Sequence, residues 1–204
     1  FDAKMADLFD NLLFVGSLCT DYRNPLMWAH YANSHTGFCL EYDLTSLISD
    51  CAKNCEDIRQ CVALMMSVAI APVIYSKGRF DASSSFTSML MNIVLESATN
   101  KQVGYYYADM LLPIKALLTK SDEWEYEAEW RMYRPFHSLD SLHQCIAKIK
   151  PTAVYRGIKM SIEDKKTIAD IAKDKKIPCY QMVPQYFSST YEIKPVDASL
   201  FDNQ

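Results

Sequence analysis

Two short stretches concentrate the side chains able to do chemistry. In the first, Asn24 to Asp43 (NPLMWAHYANSHTGFCLEYD), two of the four histidines stand close to an indole and a phenol. An imidazole titrates near neutrality, so His30 could act as a general base or orient a substrate; the competing reading is a ring satisfied by buried partners. Tyr31 could stack on a planar ring or donate its hydroxyl. Trp28 and His35 would line the same ligand pocket, although the indole reads better as core. In the second stretch, Glu125 to Arg131 (EYEAEWR), an extended chain would place Glu127, Glu129 and Arg131 on one face, about 6 to 7 Å apart, with Tyr126, Ala128 and Trp130 on the other. Neighbouring carboxylates repel, which raises one pKa, and a carboxylate beside a sugar can steady an oxocarbenium-like transition state. The alternative is an acid–base ladder in which Arg131 bridges both glutamates and Trp124 and Trp130 are core. A one-residue slip of register would exchange the two faces.

Other chemistries lack their patterns. His30 and His35 are five residues apart, off the i, i+4 spacing of a helical metal pair, and no H-E-x-x-H or C-x-x-C accompanies them, so no metal site is expected. There is no G-x-S-x-G, and Cys19 and Cys39 fall on predicted strands where buried, inert thiols are usual. Five glycines scattered along the chain cannot form a P-loop or a G-x-G-x-x-G turn. A formal charge of −4 argues against a general nucleic-acid or anionic-membrane binder. No apolar run long enough for a membrane span is visible; the longest, Cys61 to Tyr75, breaks at Pro72. Seven cysteines at irregular spacings fit reduced thiols in a cytoplasmic chain better than a disulfide framework.

The elements that must position these residues follow from caps and periodicity. Asn24 as N-cap and Pro25 at the first helical position predict a helix over 25–32. Asn33 to His35 read as a loop, Gly37 as a positive-φ exit, and Phe38 to Tyr42 as a strand. Helices are further expected over 3–13, 44–66, 83–98 and 101–119, with Pro113 as a kink. Strands are expected over 14–20, 71–76, 146–150, 153–157, 179–183 and 191–193. Ser161 and Asp164 make a capping box for a helix over 162–175 with Ile162, Ile168 and Ile171 as its face, and the tail from Asp197 should fray. The fold class is α+β: a single domain over 1–204, with a mixed, mainly antiparallel sheet and an inserted helical block. The opening FDAKMADLFDNLLF has no initiator Met, so an N-terminal segment of the full protein is expected to be missing.

Taken together, LMWAHYANSHTGFCLEYD, the VIY of Val73 to Tyr75, KSDEWEYEAEWR from Lys120 and the later PTAVYRGIKMSIEDKKTIADIA resemble the bacterial family catalogued as domain of unknown function 2971. Phe1-Asp2 would be the remnant of that family's FNDPFD-like segment. More distantly, the layout resembles the ADP-ribosyltransferase superfamily. That likeness implies an enzyme acting on a nucleotide-type ligand, with NAD as substrate rather than resident cofactor. Glu129, or Glu127 in the E-x-E pair, would hold the nicotinamide ribose, and Tyr31 or His30 would line the pocket. A second reading is a non-catalytic sensor or interaction module of a phage-defence or toxin system, with a protein partner. In it, His30, Glu127, Glu129 and Arg131 form a buried polar network. A third is a metal-assisted nuclease or hydrolase using the same acids.

Overall fold

The computed structural model describes residues 13–45, 69–101, 112–135, 149–189 and 191–201. The helix expected over 44–66 lies almost wholly outside them, as do most of the helix over 3–13, residues 102–111 of the helix over 101–119 and most of the strand over 146–150. The described elements run β1 (Leu13–Cys19), α1 (Pro25–Tyr31), β2 (Phe38–Tyr42), β3 (Ala69–Pro72), β4 (Ile74–Ser76), α2 (Ser83–Thr99), α3 (Leu112–Leu117), β5 (Thr119–Ser121), a 3-10 helix (Asp122–Glu127) and β6 (Glu129–Pro135). They continue with β7 (Pro151–Arg156), α4 (Ile162–Lys175), β8 (Cys179–Pro184), β9 (Ile193–Asp197) and a 3-10 turn (Ala198–Leu200). The fold is α+β, its sheets mixed and mainly antiparallel by paired length. The chain divides into two compact units, one of residues 1–15, 19–69 and 133–204, the other of 16–18 and 70–132.

The first unit is built on the sheet β2-β7-β8-β9, antiparallel at both outer pairings and parallel between β7 and β8. Ala153 to Arg156 of β7 are all buried, as expected of an inner strand covered on both faces. Trp28 and Ala32 of the α1 region pack with Ala153, Tyr155, Met182 and Ile193, and Tyr155 stacks between Tyr22 and Tyr180 at centroid distances of 4.6 and 5.2 Å. The predicted caps form: Asn24 Oδ1 accepts from the Leu26 amide at 3.0 Å, and Ser161 Oγ accepts from the Asp164 amide at 3.1 Å while donating to its carboxylate at 2.7 Å.

Four expectations are corrected here. The left-handed turn falls not on Gly37 but on Asn33, Ser34 and His35, with φ of 45°, 56° and 72°. The glycine is needed for space, since a Cβ at 37 would sit 3.1 Å from the Ala32 carbonyl oxygen. On α4, Ile162 and Ile171 are exposed and the buried position is Ala172, whose small side chain permits close approach. The last strand is Ile193–Asp197, because its pairing with β8 puts Ile193 opposite Pro184 and Asp197 opposite Tyr180. The tail does not fray at Asp197: its carboxylate caps the Ser199 amide at 2.9 Å, and buried Ala198 offers its carbonyl to Arg156 Nη2 at 3.3 Å.

In the second unit, the stretch expected as one strand over 71–76 is divided at buried Val73. The Val73 amide donates to the Glu129 carbonyl at 2.9 Å and the Ile74 amide to that of Leu118 at 2.7 Å, so the chain passes from the β1-β6-β3 sheet to the parallel β4–β5 pair.

The tightest constraint on the first unit is the approach of the 33–37 loop to Gly157. The Gly157 amide donates to Gly37 O at 2.9 Å and the Lys159 amide to His35 O at 3.0 Å. A Cβ at 157 would collide with the His35 carbonyl oxygen and lie 2.7 Å from that of Gly37. Both obstacles are backbone and neither can swing away. Gly157→Ala is therefore expected to cost about 3 kcal/mol or more, read by chemical denaturation, whereas Gly78→Ala, with open space around it, should stay within about 1 kcal/mol.

Candidate functional site

The acidic stretch is not one strand. Asp122, Glu123 and Glu125 occupy the first turn of the 3-10 helix, where acids suit the free amides, and the helix closes on Glu127. Ala128 then adopts the left-handed conformation, φ 45° and ψ 47°, and β6 begins at Glu129. The alternating faces expected across Glu127 and Glu129 are thus replaced by a helix end and a strand start. Both carboxylates are nevertheless buried, at 3% and 6% exposure, and both reach the same cation, Lys120 of β5.

Lys120 Nζ donates to Glu127 Oε2 and, at 3.0 Å, to Glu129 Oε2. Arg131 takes Glu129 in a fork, Nε to Oε1 at 2.8 Å and Nη2 to Oε2 at 3.2 Å, and its Nη1 donates to the Leu117 carbonyl. The Glu129 amide donates to the Tyr75 hydroxyl at 2.8 Å, and the Ser17 hydroxyl adds a hydrogen bond to the Glu129 carboxylate. The cation joining both acids is therefore Lys120, not Arg131 as the ladder reading had it. Nor are Trp124 and Trp130 core: each is 38% exposed, and the Lys120 ammonium lies 5.3 Å from the Trp124 ring centroid. A short β5 beside the 3-10 helix leaves these indoles at the rim.

The electrostatics match the geometry. Burial by itself would raise the Glu129 carboxyl, but hydrogen bonds from Arg131, Ser17 and Lys120 and the charge of Arg131 outweigh it and hold the group at about 2. Burial likewise opposes the Lys120 ammonium, and its bonds to Glu127 and Glu129 prevail and raise it. Two acids and two cations close the cluster on itself.

The other predicted site residues belong to the first unit. His30 and Tyr31 are exposed on α1, their rings edge to face at 6.3 Å. Trp28 is turned into the core, at 3% exposure, with Nε1 donating to the Tyr22 carbonyl at 2.7 Å. His35 carries the last positive φ of the loop; its Nδ1 is buried without a hydrogen-bond partner, and burial, then the charge of Lys159, lowers its pKa. The structure thus joins Glu127, Glu129 and Arg131 in one cluster and His30 with Tyr31 on one short helix, in different units. Of the thiols expected to be buried, Cys19 is exposed because it ends β1, and Cys39 is half-buried, with burial raising it to about 11.

Lys120, Tyr75 and Ser17 are the members that the spacing argument missed. Lys120 had a legible signal: two glutamates against one arginine leave a carboxylate without a cation, and the nearest upstream lysine opens the same stretch. Among the described residues, no group of three or more His, Cys, Asp or Glu side chains is arranged to hold a metal ion, and no helix is long and apolar enough to cross a membrane.

The sequence model of a family described as "Protein of unknown function (DUF2971)" matches residues 27–132, from α1 into β6. The chain belongs to that family. No curated protein and no solved structure matches it. The match to DUF2971 spans His30, Tyr31 and the whole acid–base cluster except Ser17.

The cluster gives stability a defined acid limit. Glu129 ionises near 4.5 when unfolded and near 2 when folded, so its contribution is complete above pH 4.5 and is lost as pH falls from about 4.5 toward 2. The shift corresponds to of order 3 kcal/mol. Urea unfolding across that window should show the stability difference between the native protein and Glu129→Gln shrinking as pH falls; a difference constant with pH would contradict the assignment.

Proposed function

We propose that this DUF2971 protein is a cytoplasmic interaction or sensor module in which the Lys120–Glu127–Glu129–Arg131 cluster fixes the fold. One observation carries the reading: each carboxylate of the pair already has a cationic partner inside the cluster, and the carboxylates are buried. A carboxylate held near 2 carries no proton at neutral pH and so cannot act as a general acid, and it binds a proton too weakly to make an efficient general base. Exposed apolar surface supports a protein partner: on α2, Met91 and Val94 stand open one turn apart, at 57% and 60% exposure. An odd cysteine count at irregular spacings supports a reducing compartment.

A second reading, NAD cleavage or ADP-ribosyl transfer, draws on the same low Glu129 pKa, since a permanently ionised carboxylate is what an oxocarbenium-like ribose requires. It requires Lys120 to leave Glu129 when a ribose arrives. The metal-assisted hydrolase reading has less support, because the Lys120 ammonium stands where the two glutamates converge.

The readings part on Glu129→Gln and Lys120→Met. A fold-fixing cluster loses of order 3 kcal/mol in either variant, because each leaves a buried charge with too few partners. The melting temperature should fall by roughly 6 to 12 °C, with no nicotinamide released from NAD by the native protein. Nicotinamide release by the native protein, lost in Glu129→Gln at unchanged melting temperature, would transfer the conclusion to the NAD reading.

A further inference from the structure

The described residues between β8 and β9, Gln185 to Ser189 with Tyr191 and Glu192, do not form a tight hairpin. They leave an open concavity of about 390 Å³ whose lining includes Pro184, Tyr186, Ser189, Tyr191, Glu192 and Ile193. Its base is rigid: Ile193 is buried, pairs with Pro184 across the strands, and donates its amide to the Arg23 carbonyl at 3.4 Å. Its rim is the opposite, with Tyr186 83% and Tyr191 97% exposed, and Phe187 of the same loop fully exposed. Tyr186, Phe187 and Tyr191 are all exposed on one short loop, Tyr186 and Tyr191 lining the same concavity, and exposed aromatic surface of this kind marks a binding face. The acid at the rim decides what kind. Arg23 stands between two carboxylates, its Nε 3.1 Å from Asp21 and its Nη1 4.0 Å from Glu192, so one cation faces two acids and the rim keeps an excess of negative charge.

Aromatic faces carry a negative quadrupole and attract guanidinium or ammonium groups, most of all where a carboxylate adds its charge. The chain's formal charge of −4 draws the same partners. We infer that the β8–β9 loop is a docking site for a basic peptide segment, whose arginine or lysine side chains lie against Tyr186, Phe187 and Tyr191 and pair with Glu192. This goes beyond the function proposed above and holds whether or not the acid–base cluster turns over NAD.

The test is fluorescence anisotropy with a fluorescein-labelled nonapeptide alternating arginine and glycine, against the same peptide with citrulline, which keeps the shape and removes the charge. Binding by the native protein should exceed that of the citrulline peptide, weaken with salt, and fall about tenfold in the triple variant Tyr186→Ser, Phe187→Ser, Tyr191→Ser. Glu192→Gln is the second variant: it leaves the rings in place and should weaken binding while flattening its salt dependence. Equal affinity for both peptides, binding unaltered by either variant, or no binding of the arginine peptide would overturn the inference. So would loop-dependent binding of phosphatidylcholine vesicles with no preference for arginine, which would make the rings a bilayer contact.

Discussion

The second unit depends on one ammonium group between two buried carboxylates. A carboxylate moved out of water loses several kcal/mol of hydration, and an ion pair returns that energy only when its geometry is good and the remaining lone pairs are occupied. Lys120 satisfies Glu127 and Glu129 together, and Arg131 takes the outer edges of Glu129. These bonds reach β5, the end of the 3-10 helix, the start of β6 and, through the Arg131 bond to the Leu117 carbonyl and the Glu129 amide bond to Tyr75, α3 and β4. A hydrophobic contact would tolerate sliding between these elements; charge-assisted bonds with fixed directions do not. The left-handed Ala128 belongs to the same constraint, since it lets two acids two residues apart, one ending a helix and one opening a strand, converge on one nitrogen.

The first unit is governed by backbone proximity instead of charge. Three left-handed residues in succession reverse the chain after α1, and the carbonyls of His35 and Gly37 then approach Gly157 too closely for any side chain there. Asparagine and histidine tolerate that conformation better than serine, but three such residues in succession are costly, so the run persists because the hydrogen bonds to Gly157 and Lys159 and the burial of Trp28 against Tyr155 over-determine it. The loop holds His35 half-buried while His30 and Tyr31 stay outside.

These two constraints bear on function in different ways. A self-neutralised cluster resembles the structural networks that many folds carry, and its low Glu129 pKa reports pairing as readily as catalysis. The exposed apolar side chains on which the proposals rest, Met91 and Val94 on α2 and the aromatic rings between β8 and β9, lie outside it. The pairing of the buried cluster charges with one another, set against apolar side chains exposed elsewhere, is what underlies the proposed interaction reading.

Much of this was legible in the sequence, where local rules operate. Asn24-Pro25 placed α1, Ser161 with Asp164 placed α4, Phe38 to Tyr42 read as a strand, and the mix of elements gave an α+β fold, because caps and side-chain alternation are settled within a few residues. The grouping of Glu127, Glu129 and Arg131 was also visible, as was the resemblance to DUF2971. What the sequence left undecided needed contacts across the chain. The left-handed break at Ala128 has no local signal, since alanine is a poor candidate for it, and Lys120 becomes the bridging cation only once β5 lies beside the 3-10 helix. Gly157 must be a glycine because of the His35 and Gly37 carbonyls, far earlier in the chain, and the division of 71–76 at Val73 follows from partners at Leu118 and Glu129. Local sequence determined which elements form; only the tertiary structure decided which charges meet, because a buried charge takes its partner from the whole fold and not from its neighbours in the chain.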